Sequence, residues 1–274
     1  MGSNWSGKGR LLIAAAIGLF SLCTYYKSTQ FNEVTGEKQH VGNITADQEV
    51  ALGLQAAPQM AQQYGGDSSD PQATAKVQQM GQLLVDKSDA GKTPYKFQFH
   101  LLADPETINA FALPGGQVFI TTGLYKRLET EGQLAGVLGH EMGHVAARHG
   151  AQQIAKQQLT QGLSGAAVLA SYDPQNGRGA GTAAVVALIG NLVNLKYSRF
   201  DESQADQLGV RFESQAGYDP HAMIGVMEIL KKAAGRGSQP EFFSTHPNPD
   251  HREELIKQDI QKEFPNGVPT GLKP

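Results

Sequence analysis

Residues 137–149 read VLGHEMGHVAARH, and within them HEMGH sets His140 and His144 four positions apart with Glu141 between. Four residues turn an α-helix by about 400°, so the two imidazoles share one face, one turn apart, as two corners of a tetrahedral metal site require. Glu141 sits about 100° round from His140, where it flanks a metal without ligating it. There it can take a proton from the attacking water and later hand it to a leaving amine. His149 follows His140 by nine residues, about 900° of rotation, so on a continuous helix it lies on the opposite face and is excluded as a ligand. Nothing between 144 and 149 reads as a helix breaker. The alternative for HEMGH alone is a polar helical face with two hydrogen-bonded histidines.

A third ligand has to come from elsewhere. In ESQAD, Glu202 and Asp206 are again four apart, so both project from one face of a second helix. Glu202 would complete a His-His-Glu set with water in the fourth position, and Asp206 would accept from the free ring nitrogen of His140 or His144 and fix its tautomer. Taken alone, the pair is also what a solvated surface helix carries. The metal implied by such N and O donors is one Zn2+ per chain.

Around these segments the chain is long enough, at 274 residues, for one sizeable core. A formal charge of -3, from 23 basic and 26 acidic residues, is a near balance that argues against a nucleic-acid partner, which needs a basic surface. GxxxxGK[ST] is absent, so no nucleotide site is expected. The one cysteine, Cys23, lies in an apolar run, which excludes an intramolecular disulfide and a cysteine metal site. That run, Leu11 to Tyr26, comes after Lys8 and Arg10 and reads as a signal sequence or membrane anchor over residues 1–26. The basic residues ahead of it predict that the chain beyond residue 26 is exported. Lipidation at Cys23 and myristoylation at Gly2 are the other readings of this end.

Residues 27–44 are polar and read as a tether, and 263–274 as a frayed tail, leaving a domain over 45–262. Thr45 and Gln48 form a capping box for a first helix; Val77, Met80, Leu83 and Leu84 stripe a second over about 72–87. KFQFHLLAD and QVFITT read as strands, and an antiparallel pairing is open to them. Helices are expected at 131–158, 198–215, after Tyr218-Asp219-Pro220, and at the end of the chain. Two apolar halves within 162–195, interrupted at Asp173 and Pro174, read as packing helices, with a membrane hairpin as the alternative. The total is an α+β domain, mainly helical, with a small sheet.

GVLGHEMGHVAARH, SRFDESQADQLG, NAFALPGGQVFITTGL and STHPNPDHR resemble the gluzincin metallopeptidases of family M48, the group of HtpX and the CAAX prenyl endopeptidases, and within it the LoiP- and BepA-like envelope proteases. The resemblance covers about residues 45–262. It implies a zincin-type fold, zinc ligands at His140, His144 and Glu202, the catalytic base at Glu141, and support from Asp206. It also implies that Asn109, Ala110, Phe111 and Ala112 form an edge strand beside the cleft, where an extended substrate adds by main-chain hydrogen bonds; an ordinary hairpin is the plainer reading. His246 comes to the active site from its loop, either to donate to the oxyanion or to fill the metal's open position, and Arg252 is the other candidate donor. The implied activity is ATP-independent cleavage of misfolded or misassembled proteins on the periplasmic side of the cell envelope, the chain being held to the membrane by its N-terminus. The rival is a chaperone or assembly factor that holds the same clients and rarely cuts them.

Overall fold

The structure is a computed structural model and describes residues 7–171, 196–235, 240–246 and 251–274. Its elements are α1 (Gly7–Lys27), β1 (Thr29–Asn32), β2 (Glu37–His40), α2 (Ala46–Gln63), α3 (Pro71–Lys87), β3 (Gln98–Leu102), β4 (Ala110–Leu113), β5 (Gln117–Thr121), α4 (Thr122–Tyr125), α5 (Glu131–Ala146), α6 (His149–Ser171), α7 (Arg199–Gln215), α8 (Ala222–Ala234), α9 (Phe242–Thr245) and α10 (Arg252–Glu263). This is the expected α+β domain, mainly helical.

The centre is α5. Thr130 caps it by accepting from Gln133 N, and every residue from Gly132 to Ala146 is buried. Small and apolar side chains all round it are what a helix with neighbours on every side needs. Its closest neighbour is α7, capped by a Ser198–Asp201 box. A Cβ at Gly143 would stand 2.9 Å from Ala205 O, and one at Gly209 only 3.1 Å from His140 N. The glycines therefore let two backbones approach closely enough for HEMGH and ESQAD to face each other.

A three-stranded sheet of order β3-β5-β4 covers another side of α5. KFQFHLLAD and QVFITT are neighbours, but β3 and β5 run parallel, and only β4 pairs antiparallel with β5. The antiparallel expectation is corrected by the Pro114–Gly116 turn, which joins β5 to β4 instead and leaves β3 to reach β5 by a crossover. β4 is thus an edge strand.

Two segments read as loose are built in. Residues 27–44 contain the β1–β2 hairpin, in which Asn32 Oδ1 accepts from Val34 N and Thr35 N while its Nδ2 donates to Ala146 O at 2.7 Å. Gln39 Nε2 donates to Ala147 O at 2.8 Å. These polar side chains satisfy carbonyls at the C-terminal end of α5, which a helix cannot satisfy itself. In the same way the tail over 263–274 docks: Gly132 N donates to Pro274 O, and Lys273 N to Gly217 O.

α1 packs along α6 and leaves Leu11, Leu12, Leu19 and Phe20 exposed. Among the described residues no helix is long and apolar enough to cross a membrane. Of the apolar halves within 162–195, the first continues α6 to Ser171, and the second lies outside the described residues.

One buried group works against stability. Glu213 on α7 is fully buried with its Oε2 beside Gly136, and among the described residues neither of its carboxylate oxygens has a hydrogen-bond partner. Burial, then the nearby charges of Asp219 and Asp206, push its carboxyl well above the ordinary 4.5. The native state keeps a proton that the unfolded chain releases, so stability falls as pH rises above about 4.5. Glu213→Met is therefore expected to stabilise by about 1–3 kcal/mol at pH 7 and by less at pH 4, measured by urea melts at both. Equal gains at the two values would mean that the carboxyl titrates normally.

Candidate metal centre

His140 and His144 project from α5, and Glu202 and Asp206 from α7. The side chains meet as the two spacings predict. His140 Nε2 and His144 Nε2 are 3.1 Å apart, and Glu202 lies 3.4 Å from the second through Oε1 and 3.8 Å from the first through Oε2. His246, at the end of α9, brings Nδ1 to 3.0 Å from Glu202 Oε1 and 3.4 Å from His140 Nε2. All four side chains are buried.

The outer contacts decide what these atoms offer. His140 Nδ1 is 2.9 Å from Asp206 Oδ1, a carboxylate oxygen that only accepts, so the ring proton sits on Nδ1 and Nε2 is bare. Arg252 holds Asp206 from behind, donating from Nε at 2.8 Å and Nη2 at 2.7 Å, with Nη1 3.1 Å from Glu202 Oε2. Burial raises the Asp206 carboxyl, but Arg252 and His140 outweigh it and hold the group below its usual range. Burial likewise opposes ionisation of Glu202, and His246 and His144 overcome it.

The bare Nε2 of His140 faces His144 Nε2 with Glu202 oxygens beside both, a crowded set of nitrogen and oxygen atoms of the kind that holds a metal. The ligand atoms of a tetrahedral ion with bonds of about 2.0–2.1 Å stand about 3.3–3.4 Å apart. The distances here straddle that value, so the donor set fits a divalent cation. Glu141 is adjacent but is not one of the four converging side chains. Among the described residues its two buried oxygens have no hydrogen-bond partner, Oε1 lying 3.6 Å from His246 Nε2. Burial raises its carboxyl, with His246 and His140 pulling the other way.

His149 is placed differently from the sequence expectation. The helix is not continuous: α5 ends at Ala146, and Arg148 takes φ 54° before α6 begins. A non-glycine residue in this region costs about 1–3 kcal/mol. It is held there by bonds from its guanidinium to Glu49 Oε2 at 2.9 Å and Ile44 O at 2.8 Å. The break swings His149 back so that its Nδ1 is 2.9 Å from His144 Nδ1. His149 still stays out of the converging set, for a reason other than facing away.

Beside the cluster lies a cavity of about 300 Å³, lined by Met60, Tyr64, Phe111, Leu113, Tyr197 and His246 among others. Asn109 and Ala112 also border it, whereas Ala110 turns into the core. The Asn109 amide is drawn off to Tyr64 Oη at 3.2 Å and Glu241 Oε1 at 3.4 Å. Tyr64 donates to that same Glu241 oxygen, and Phe242 N donates to Ile108 O. The segment ending in His246 is thus fastened across the start of the edge strand. Pro247 to Asp250 of the STHPNPDHR stretch lie outside the described residues.

Sequence reasoning missed Tyr197, whose ring stacks on His144 with centroids 3.9 Å apart, and the partners Tyr64, Gln204 and Glu241. No spacing signals them, because each belongs to a different element from the side chain it supports.

Comparison with known proteins bears on this centre directly. The chain is 33% identical over 190 residues to the beta-barrel assembly-enhancing protease of Escherichia coli, covering 67% of this chain and 38% of that protein. It is 32% identical over 220 residues to the protein of that name from Yersinia pestis, covering 76% and 43%. The mitochondrial metalloendopeptidase OMA1 of Schizosaccharomyces pombe is 30% identical over 246 residues, covering 85% of this chain and 67% of that one. The chain spans about two fifths of the length of the bacterial relatives. The model of Peptidase family M48 matches residues 71–259, a span that includes every side chain of the converging cluster, and the chain belongs to that metallopeptidase family.

Proposed function

We propose that this chain is a zinc-dependent endopeptidase that cleaves misfolded or misassembled proteins in the cell envelope without ATP. The observation that carries the reading is the convergence of His140, His144 and the Glu202 carboxylate beside a buried Glu141 whose oxygens have no hydrogen-bond partner among the described residues. When bound, zinc supplies Lewis-acid polarisation of a water and of the scissile carbonyl. Glu141 takes the proton of the attacking water and returns it to the leaving amine, its carboxyl being raised by burial toward the range a general base needs. Asp206, backed by Arg252, keeps the His140 proton on Nδ1. A substrate lies extended along β4, whose outer edge pairs with no other strand among the described residues, with the neighbouring cavity taking a side chain.

The name carried by the bacterial relatives, beta-barrel assembly-enhancing protease, supports the periplasmic side of the envelope as location, with the N-terminal segment attaching the chain to the membrane. Open, extended clients fit an enzyme with no nucleotide motif to power unfolding. The test is metal analysis combined with digestion of chemically unfolded casein. One zinc per chain and cleavage that is lost on chelation and regained with zinc are expected; a zinc-loaded protein that cuts nothing overturns the reading.

His246 has a specific place in it. With Nδ1 3.0 Å from Glu202 Oε1 and 3.4 Å from His140 Nε2 it would be held as a fourth ligand by a bound metal, and its segment is strapped over the cleft, so this arrangement is a closed one. His246→Ala is expected to raise casein cleavage, by about tenfold if closure is favoured by about 1.4 kcal/mol. A fall instead would assign His246 the other role, donor to the oxyanion. The closed site is also the one observation that favours a holding function for unfolded clients.

A further inference from the structure

The two ring ligands are oriented by different means. His140 leans directly on a carboxylate, but His144 leans on another imidazole, and the chain of contacts behind it runs out to the N-terminal hairpin. Gln204 Nε2 donates to Glu37 Oε2 at 2.8 Å, an oxygen that only accepts, which fixes the orientation of the amide. Gln204 Oε1 then faces His149 Nε2 at 3.0 Å and can only accept, so His149 carries its proton on Nε2 and its Nδ1 is bare. That bare nitrogen lies 2.9 Å from His144 Nδ1 and can only accept from it. Asp201 Oδ1, the other acceptor near His149, is 4.0 Å away, too far to take the bond.

We infer that Glu37, Gln204 and His149 form a relay of positioning residues that sets His144 as the Nδ1–H tautomer and aims its Nε2 lone pair at the metal. The inference rests on the zinc reading and adds to it a coupling between hairpin and metal centre. Glu37 precedes the residues matched by the family model, so this support comes from outside them. His149 is fully buried and touches no ligand atom that converges on the metal. Its position depends on the left-handed turn at Arg148, which gives the break in the helix a purpose.

The test uses the full chain. In the zinc-loaded protein labelled at histidine nitrogens, two-bond proton–nitrogen correlation spectra are expected to show His149 protonated on Nε2 alone; a proton on Nδ1 overturns the relay. Zinc affinity, measured by competition with a chromophoric chelator, is expected to fall about 10- to 100-fold in His149→Leu. In His149→Asn, whose side-chain oxygen can stand where Nδ1 stood, it is expected to stay within a few-fold of the parent. Equal affinities for Leu and Asn variants that both fold in the absence of zinc also overturn it. Failure of the parent itself to bind zinc would instead sink the peptidase reading, so the two failures are distinguishable.

Discussion

Replacing Glu141 by glutamine is expected to slow cleavage of an unfolded protein by about 10²- to 10⁴-fold, the range that loss of a general base costs, which is about 3–5 kcal/mol in the barrier. The substitution keeps volume and shape, so the helix around it has no reason to shift. Metal content should not change, because Glu141 is outside the set of side chains that converge. What disappears is an oxygen able to take a proton: the amide offers donors to a site that needs an acceptor. Turnover of casein by the zinc-loaded variant, against its zinc content, separates the two effects. Parent-like turnover would remove the peptidase mechanism and favour a protein that merely holds its clients.

The largest loss of stability is expected from Arg252→Met. Arg252 is only 2% exposed, and its charge is the cation that balances Asp206 and, at 3.1 Å, Glu202. Its guanidinium also lies 5.9 Å from the Phe242 ring centroid, on the segment that ends in His246. Methionine fills much of the stem's volume but leaves buried carboxylates without their partner, a change that costs about 3–5 kcal/mol. For the parent the sign with pH is set by Asp206, whose carboxyl is held below its ordinary 3.8 against the pull of burial. A depressed carboxyl stabilises above its unfolded value and loses that contribution as pH falls through the folded one. The gap between parent and variant should therefore be full at pH 7 and narrow on acidification below about pH 4. Denaturant melts of zinc-saturated proteins measure it, and a difference under about 1 kcal/mol at pH 7 would mean that Arg252 is not the balancing charge.

Much of the metal centre was legible because helical spacing is a short-range rule. The separations 140–144 and 202–206 each set a pair on one face whatever the rest of the chain does, and both faces meet in the structure. The capping box at Thr45 and Gln48 was legible for the same reason and is present. The hairpin at 29–40 was not: its polar residues look like those of a solvated tether until the carbonyls at Ala146 and Ala147 are known to need donors. Nor was the parallel sense of the β3–β5 pairing, since parallel neighbours have no turn between them to read.

Local periodicity, then, specified which side chains share a helical face, and with that the metal-binding chemistry open to HEMGH and ESQAD. Tertiary structure alone decided that Arg148 turns left-handed, that His149 consequently backs His144, and that His246 joins His140, His144 and Glu202 under a strapped segment. Those outcomes depend on partners far away in sequence, Glu49 and Ile44 for the turn and Glu241 with Tyr64 for the strap. A backbone conformation that is unfavourable by itself, or a loop closed over a cleft, is set by such distant contacts, and no spacing within a segment records them.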